Sequence, residues 1–262
     1  MAKGSFLYKD LSQSATFGGS TPVTGLDWSF LKDPQPRHRT RVNASSANLI
    51  LDLGAAVSID IATLIGTGMD STSTARLRMS ASDATVTGSL AYDSTVLASV
   101  TDAAWTGAVI GCLPAPVTAR YIRWDVVQGG APIDIGLAPC GLLWRPSRNF
   151  SFGGMEGRSD ASRREVNPDT GAEFGLALAQ RRTKRLTFAA LTKSEVRTDL
   201  DAMDRLVGAG GDVLFVEDSD ASWADRARDA VWGSFRESGS GDLTSRQAVN
   251  VFSRSFLLTE RI

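Results

Sequence analysis

"TARYIRWDVV" occupies residues 118–127. Tyr121, Ile122, Trp124, Val126 and Val127 are strand formers, yet Arg120, Arg123 and Asp125 interrupt them. A period of two puts Tyr121, Arg123, Asp125 and Val127 on one face and Arg120, Ile122, Trp124 and Val126 on the other. One face is then apolar and the other can be solvated. Arg120 opens the stretch, where its stem can pack while its head reaches water. A strand with one wet face accounts for these charges without a ligand.

The neighbouring segments extend the pattern. "NLILDLGAAVSIDIATLI" (48–65) holds two strand-like pieces on either side of Gly54. "ARLRMSASD" (75–83) alternates Leu77 and Met79 with Arg76, Arg78 and Ser80, which predicts a half-buried strand. Residues 84–117 are rich in Ser, Thr, Ala and Gly and predict loops and short strands. "IDIGLAPCGLLW" (133–144) closes the segment with another strand pair. Short strands with turn signals, and no convincing amphipathic helix, predict a β-sandwich over residues 25–146, preceded by an arm over 1–24.

Composition shifts near Arg145–Phe150, where a polar, Gly-rich and charged stretch begins. Beyond it, "KRLTFAAL" (184–191) and "DVLFVED" (212–218) predict strands. Between them Thr192 and Glu195 form a capping box for a helix whose Val196, Leu200, Met203, Leu206 and Val207 recur at helical spacing and which Gly208 stops. A final strand runs to the C-terminus. The fold class expected is mainly β: a sandwich followed by an α+β unit over 147–262 with one packed helix.

Composition narrows the function. Apolar residues make up 42% of the 262 and charged residues 22%, with a net charge of −1. That is an ordinary globular balance and argues against a dedicated nucleic-acid binder. No apolar run has the length of a membrane-spanning helix. The N-terminus carries no secretory signal pattern, so folding in a cytoplasm is expected. Cys112 and Cys140 are too few for a disulfide framework and predict buried free thiols. His38 is the single histidine, so any His-based triad or metal site would have to use it. No nucleophile elbow, Walker loop or H-E-x-x-H motif is present. We expect no enzyme, no cofactor and no resident metal. "EDSD" (217–220) lacks EF-hand spacing and predicts a turn.

Two stretches stand out as contact candidates. "WSFLKDPQPRHRTR" (28–41) puts Trp28, Arg37, His38 and Arg39 in a proline-stiffened loop. Aromatic faces stack on sugars, and arginine donors bond hydroxyls and acidic groups. The competing account is a solvated basic loop or subunit contact with Trp28 in the core. "QRRTKR" (180–185) offers Arg181, Arg182, Lys184 and Arg185 as an assembly interface, or as a solvated hairpin.

Asp52-Leu53-Gly54, Ser80-Ala81-Ser82-Asp83 and Ala119-Arg120-Tyr121-Ile122-Arg123, in that order, make residues 25–146 resemble the discoidin (coagulation-factor type C, galactose-binding-like) family. The resemblance implies an eight-stranded jelly roll whose end loops often bind sugars. Some members hold a structural calcium, near which Asp70 and Asp83 would fall, although no convincing ligand set is visible. Residues 150–262 resemble the distal-tail and minor-tail proteins of long-tailed phages in their order of strand, helix, strand, Trp232-Gly233 turn and long last strand. That resemblance implies a virion structural protein of the tail tip, assembled in the host cytoplasm. It would form a homo-oligomeric ring, hexameric or else trimeric, between the tail tube protein and the hub or tip proteins. The jelly roll would be displayed outward toward a host surface glycan. The alternative is a lectin-like adhesion module with no ring role.

Overall fold

A computed structural model of the chain describes residues 4–70, 72–95, 97–98, 107–130, 132–151, 154–159, 163–166, 170–171, 173–176, 180–208, 210–235, 245–248 and 251–261. The chain divides into two compact units, residues 1–146 with 213–230, and residues 147–212 with 231–262.

The strands of the first 146 residues are β1 (Ser5–Leu7), β2 (Thr16–Gly19), β3 (Thr40–Val42), β4 (Ser46–Thr67), β5 (Thr74–Ser80), β6 (Tyr92–Asp93), β7 (Leu97–Ala98), β8 (Gly107–Val127), β9 (Ile133–Ile135) and β10 (Cys140–Gly141). One sheet runs β10-β4-β8-β5-β6, with β2 on β4 and β7 on β5, and β3 pairs separately with β9. β4 and β8 dominate. They pair antiparallel from Ser46↔Val127 to Thr67↔Gly107, with register shifts at Asp52/Val57, Ile59/Ile61 and Leu64/Thr67. The two strand-like pieces around Gly54 are therefore one bent strand. Gly54 supplies the positive φ (78°) at the first shift, and its N–H bonds Asp52 Oδ1 at 2.8 Å. Likewise, the expected loops over 84–117 end in the first half of β8, while residues 96 and 99–106 lie outside those described.

Bulges of this kind let one strand serve both layers of a sandwich. β5 pairs only with the Tyr121–Val127 half of β8, and β10 with the Ile61–Ala62 part of β4. Between the layers lie Leu49, Leu51, Ile59, Leu64, Leu77, Met79, Ile122, Trp124 and Val126, all essentially buried. A side chain at Gly111 would meet Leu77 and Ala62 at 2.8 Å and Trp124 at 3.4 Å, so the largest core residue packs against bare backbone.

Residues 1–24, expected as an arm, contribute β1 and β2, and β2 pairs with β4 over Thr16↔Asp52 to Gly19↔Leu49. Residues 213–230, expected in the second half, belong to the first unit. They begin within β15 (Asp212–Val216), whose Leu214–Val216 pairs with β1. This places Phe6 between Trp144 and Phe215, at 5.9 and 5.0 Å. A seven-residue helix, Trp223–Asp229, follows, capped by Ser222. The sequence reading does not predict it.

The second unit holds β11 (Met155–Ser159), β12 (Arg163–Val166), β13 (Glu173–Leu176), β14 (Arg181–Thr192), β16 (Val231–Phe235), β17 (Ser245–Ala248) and β18 (Val251–Glu260). β18 lies between β16 and β14, β11 follows β14, β17 pairs β18, and β12–β13 is a separate hairpin. The capping box at Thr192 and Glu195 is present in both directions. The helix it starts runs over 193–207 through one π turn, Val196–Leu200, to Gly208. Leu200, Met203 and Val207 of the helix are buried, as are Leu186, Phe188, Leu191, Phe256 and Leu258 of the sheet, whereas Leu206 is 61% exposed. Leu206 lies one residue off the stripe at 196, 200, 203 and 207, which is why it stays wet. Arg254 reaches across to Asp204 with two hydrogen bonds, 2.8 and 2.9 Å.

One buried acid fixes the end of the sandwich. Asp60, 1% exposed, accepts from Leu143 N at 2.8 Å and from the Arg145 guanidinium. Removing Asp60 leaves the buried Leu143 N–H without its acceptor and Arg145, whose side chain is 33% exposed, without its partner. Asp60→Ala is expected to cost about 1–3 kcal/mol, read as a shifted urea midpoint at unchanged slope. A shift below about 0.5 kcal/mol, the scale of an ordinary surface substitution, would remove Asp60 from this role.

Candidate functional site

The charges of residues 118–127 are neutralised where they stand. Arg120 makes two bonds to Asp52 on β4, 2.7 and 2.9 Å. Arg123 bonds Asp125 at 2.8 Å, and Arg78 on β5 bonds the same carboxylate. Arg76 pairs with Asp93 through Nε at 2.9 Å. Asp52 and Asp93 are held below the usual carboxylate range chiefly by their arginine hydrogen bonds.

Loop 28–41 behaves differently. Asp27 caps a 3-10 turn over Trp28–Lys32 by accepting from Ser29 N at 2.9 Å. Thr40 Oγ1 donates to Asp27 O at 2.7 Å, closing the loop at its base. β3 then pairs with β9, and Arg41 clamps the nearly buried Asp134 at 2.7 and 2.8 Å. The loop's middle sits on two glycines. A Cβ at Gly66 or Gly136 would lie 2.4 or 2.3 Å from the Pro36 carbonyl oxygen. The side chains that follow Pro36 are thereby held on a rigid support.

Trp28 is half-buried and packs against the core, as the competing account requires. Arg37 and His38 are exposed and Arg39 is half-buried. His38 Nδ1 lies 2.7 Å from Asp33 Oδ2. The first unit contains ten arginines. Arg41, Arg76, Arg78, Arg120, Arg123, Arg145, Arg226 and Arg228 each have a carboxylate or carbonyl partner. The guanidinium groups of Arg37 and Arg39 have none among the described residues, and Arg39 Nε is buried without an acceptor. A buried donor left unmade costs free energy.

The other candidates are absorbed by the fold. Residues 181–185 of "QRRTKR" open β14, and strand alternation divides them. Arg182 bonds Glu260 through N, Nε and Nη2 at 2.9, 3.0 and 2.8 Å. Lys184, 3% exposed, lies 3.5 Å from Glu156. Only Arg181 and Arg185 of the four face outward. Asp83 accepts from Thr85 N, Thr85 Oγ1, Thr87 N and Gly88 N at 2.9, 2.7, 2.9 and 2.9 Å. These bonds, Gly88 foremost, hold its carboxyl far below the usual range. Its lone pairs are committed to the loop rather than offered to a cation. Asp70 is committed similarly to Thr72 and Ser73. In "EDSD", Asp218 accepts from Asp220 N at 2.7 Å in a turn before the Ser222 cap. Among the described residues no group of three or more His, Cys, Asp or Glu is placed to hold a metal, and no helix is long and apolar enough to cross a membrane. Cys112 and Cys140 are buried free thiols; burial pushes Cys112 up to about 11 and Cys140 well above its ordinary value.

Gly136→Ala places a methyl against the Pro36 carbonyl and must displace the loop. Hydrogen exchange is expected to rise over 33–39 while the core strands stay protected; unchanged exchange there would show that the glycine seat does not hold the loop. Asp52, Asp70, Asp83 and Asp93 have depressed pKa values, so their contribution is complete above the ordinary carboxylate range and is lost as pH falls through their folded values. Melting temperature is therefore expected to be level from pH 7 to 5 and to fall below about pH 4, with a smaller fall in Asp83→Asn. An Asp83→Asn profile identical to the parent's would remove Asp83 from that account.

No protein-family model and no curated protein matches the chain. Among solved structures, the chain is similar to chitosan-binding module 1 of a chitosanase/glucanase from Paenibacillus sp. IK-5, with 16% identity over 51% of this chain and 98% of that one at a TM-score of 0.41. It is similar to CBM32-1 from a family 31 glycoside hydrolase of Clostridium perfringens, with 14% identity over 52% and 99% at 0.41. It is also similar to SpGH29, with 17% identity over 50% of this chain at 0.40, where it spans 27% of that chain's length.

Proposed function

We propose that the first unit is a carbohydrate-binding module and that loop 33–39 is where it takes its ligand. The observation that supports this is the pair Arg37 and Arg39, whose guanidinium groups have no carboxylate or carbonyl partner among the described residues, on a loop seated at Gly66 and Gly136. A ligand meeting them displaces no internal ion pair and orders little new chain, which lowers the cost of binding. Guanidinium forks suit sugar hydroxyls and carboxylates. Trp28, packed on the core, supports the loop rather than offering a free stacking face. The role is binding without catalysis.

A second reading is a structural component of a phage tail tip with this module displayed outward, which the element order of the second unit, strand, helix, strand and long last strand, accommodates. Its test is co-assembly: rings or tail-tube complexes seen by electron microscopy when tube protein is added. Strict absence of such complexes would leave the adhesion reading alone.

For the main reading, a glycan array that includes neutral and uronic-acid-containing oligosaccharides is expected to yield at least one ligand. Calorimetry with the Arg37→Ala/Arg39→Ala double variant is then expected to show a loss of about tenfold or more, since a hydrogen bond to a charged group contributes ~1.5–3 kcal/mol. Undiminished affinity would sink the loop assignment, and an array with no ligand would rule out the carbohydrate reading.

A further inference from the structure

β11 is the last strand of its sheet. Among the described residues it pairs only with β14, in register Met155↔Arg185 to Ser159↔Arg181. Met155, Glu156, Gly157 and Arg158 are all exposed, Met155 at 66%. The β12–β13 hairpin, which follows in the chain, exposes Val166 at 56% and Phe174 at 62%. A lone two-stranded hairpin is marginal in water, and an unpaired strand edge is a template for another strand. Edges that stay open in solution are commonly blunted by charges, proline or a bulge. β11 contains no proline and no register shift against β14. Its charges, moreover, are of opposite sign and arranged symmetrically about a glycine: Met155-Glu156-Gly157-Arg158-Ser159.

We propose that β11 pairs antiparallel, edge to edge, with β11 of a second copy of this chain, about a two-fold axis through Gly157. In that register Glu156 of each copy lies opposite Arg158 of the other, which gives two cross-strand ion pairs on one face. On the opposite face Met155 lies across from Ser159, and Gly157 leaves no side chain at the axis where the backbones meet most closely. Arg158 has no ion-pair partner among the described residues, and Glu156 has only the longer contact to Lys184. The charges also set the register. Sliding one strand by two residues puts Glu156 opposite Glu156 or Arg158 opposite Arg158, and like charges directly opposed are destabilising. The contact is isologous, so it closes at two copies. It depends neither on the carbohydrate reading nor on the tail-tip one.

The test uses the full chain and two variants, Arg158→Glu and Glu156→Lys, followed by sedimentation velocity across a micromolar concentration series. The parent is expected to be in monomer–dimer equilibrium. Each variant alone opposes like charges twice in its own dimer and is expected to dimerise at least about tenfold more weakly. Arg158→Glu makes both charged positions of β11 acidic, and Glu156→Lys makes both basic. Mixed in equal amounts, the two variants set the acidic strand against the basic one, and a heterodimer is expected to return. Circular dichroism confirms that each variant is folded. A parent that stays monomeric throughout overturns the proposal. So does a dimer that Arg158→Glu leaves intact, or a pair of folded variants that do not recover association on mixing.

Discussion

β4 and β8 form a ladder that begins at Ser46↔Val127 and ends at Thr67↔Gly107, and the first unit is arranged by how that ladder bends. A pair so long cannot stay flat, because strands twist. Three register shifts take up the bend, and the two halves of each strand then face a common core. β2, β5, β6 and β7 attach on one half and β10 on the other. The demand for space at the fold is met by omission. Gly111 lies where Trp124 and Leu77 need room, and Gly54 carries the positive φ at the first shift. Loop 28–41 inherits its position from the same ladder. Its seat, Gly66, is next to the last residue of β4, and Gly136 immediately follows β9, which pairs with the loop's own β3.

Neutralisation of charge on the wet face is the second constraint. Arg76, Arg78, Arg120 and Arg123 each bond an aspartate on the same or an adjacent strand, and the directly opposed Arg78 and Arg123 share Asp125 between them. Such pairs at the surface add little stability individually. Their value is in register, since a slip by one residue would bury Arg123 and Asp125 in place of Ile122 and Trp124. The same alternation divides "QRRTKR" in the second unit. Arg182 and Lys184 turn inward to Glu260 and Glu156, while Arg181 and Arg185 turn out.

Period two is enough to read the strand at 118–127, the half-buried strand at 75–80 and the one at the end of the chain. The capping box at Thr192 and Glu195 is equally legible, because both of its partners are local in sequence. The unbroken length of β4 and β8 is not. Gly54 looks like a stop when it is a bend, and Gly111 looks like a loop residue when it is small because Leu77, Ala62 and Trp124 crowd it. The Trp223–Asp229 helix is within reach, since Ser222 and Asp225 have capping spacing, but seven residues give too little periodicity to announce a helix. Loop 28–41 can be singled out by composition. What supports it cannot, because the support is a close backbone approach by Gly66 and Gly136 and a carboxylate from Asp134, all distant in sequence.

Within each unit the proposed contact lies where the local rule is broken. Among the described residues the arginines of the first unit are paired, except for two on a loop that follows Pro36, seated at Gly66 and Gly136. Strand edges in a stable sheet are commonly paired or blunted, and β11, which among the described residues pairs only with β14, carries charges that suit an identical edge. Rigidity matters in both cases. Had Pro36 not been seated on bare glycine, Arg37 and Arg39 could have folded back onto a nearby acid such as Asp33. Had β11 carried a bulge or a proline, its edge would have been closed to pairing. An unmet donor or an open edge persists only where the backbone denies it an internal solution, and that is where an external partner gains most from supplying one.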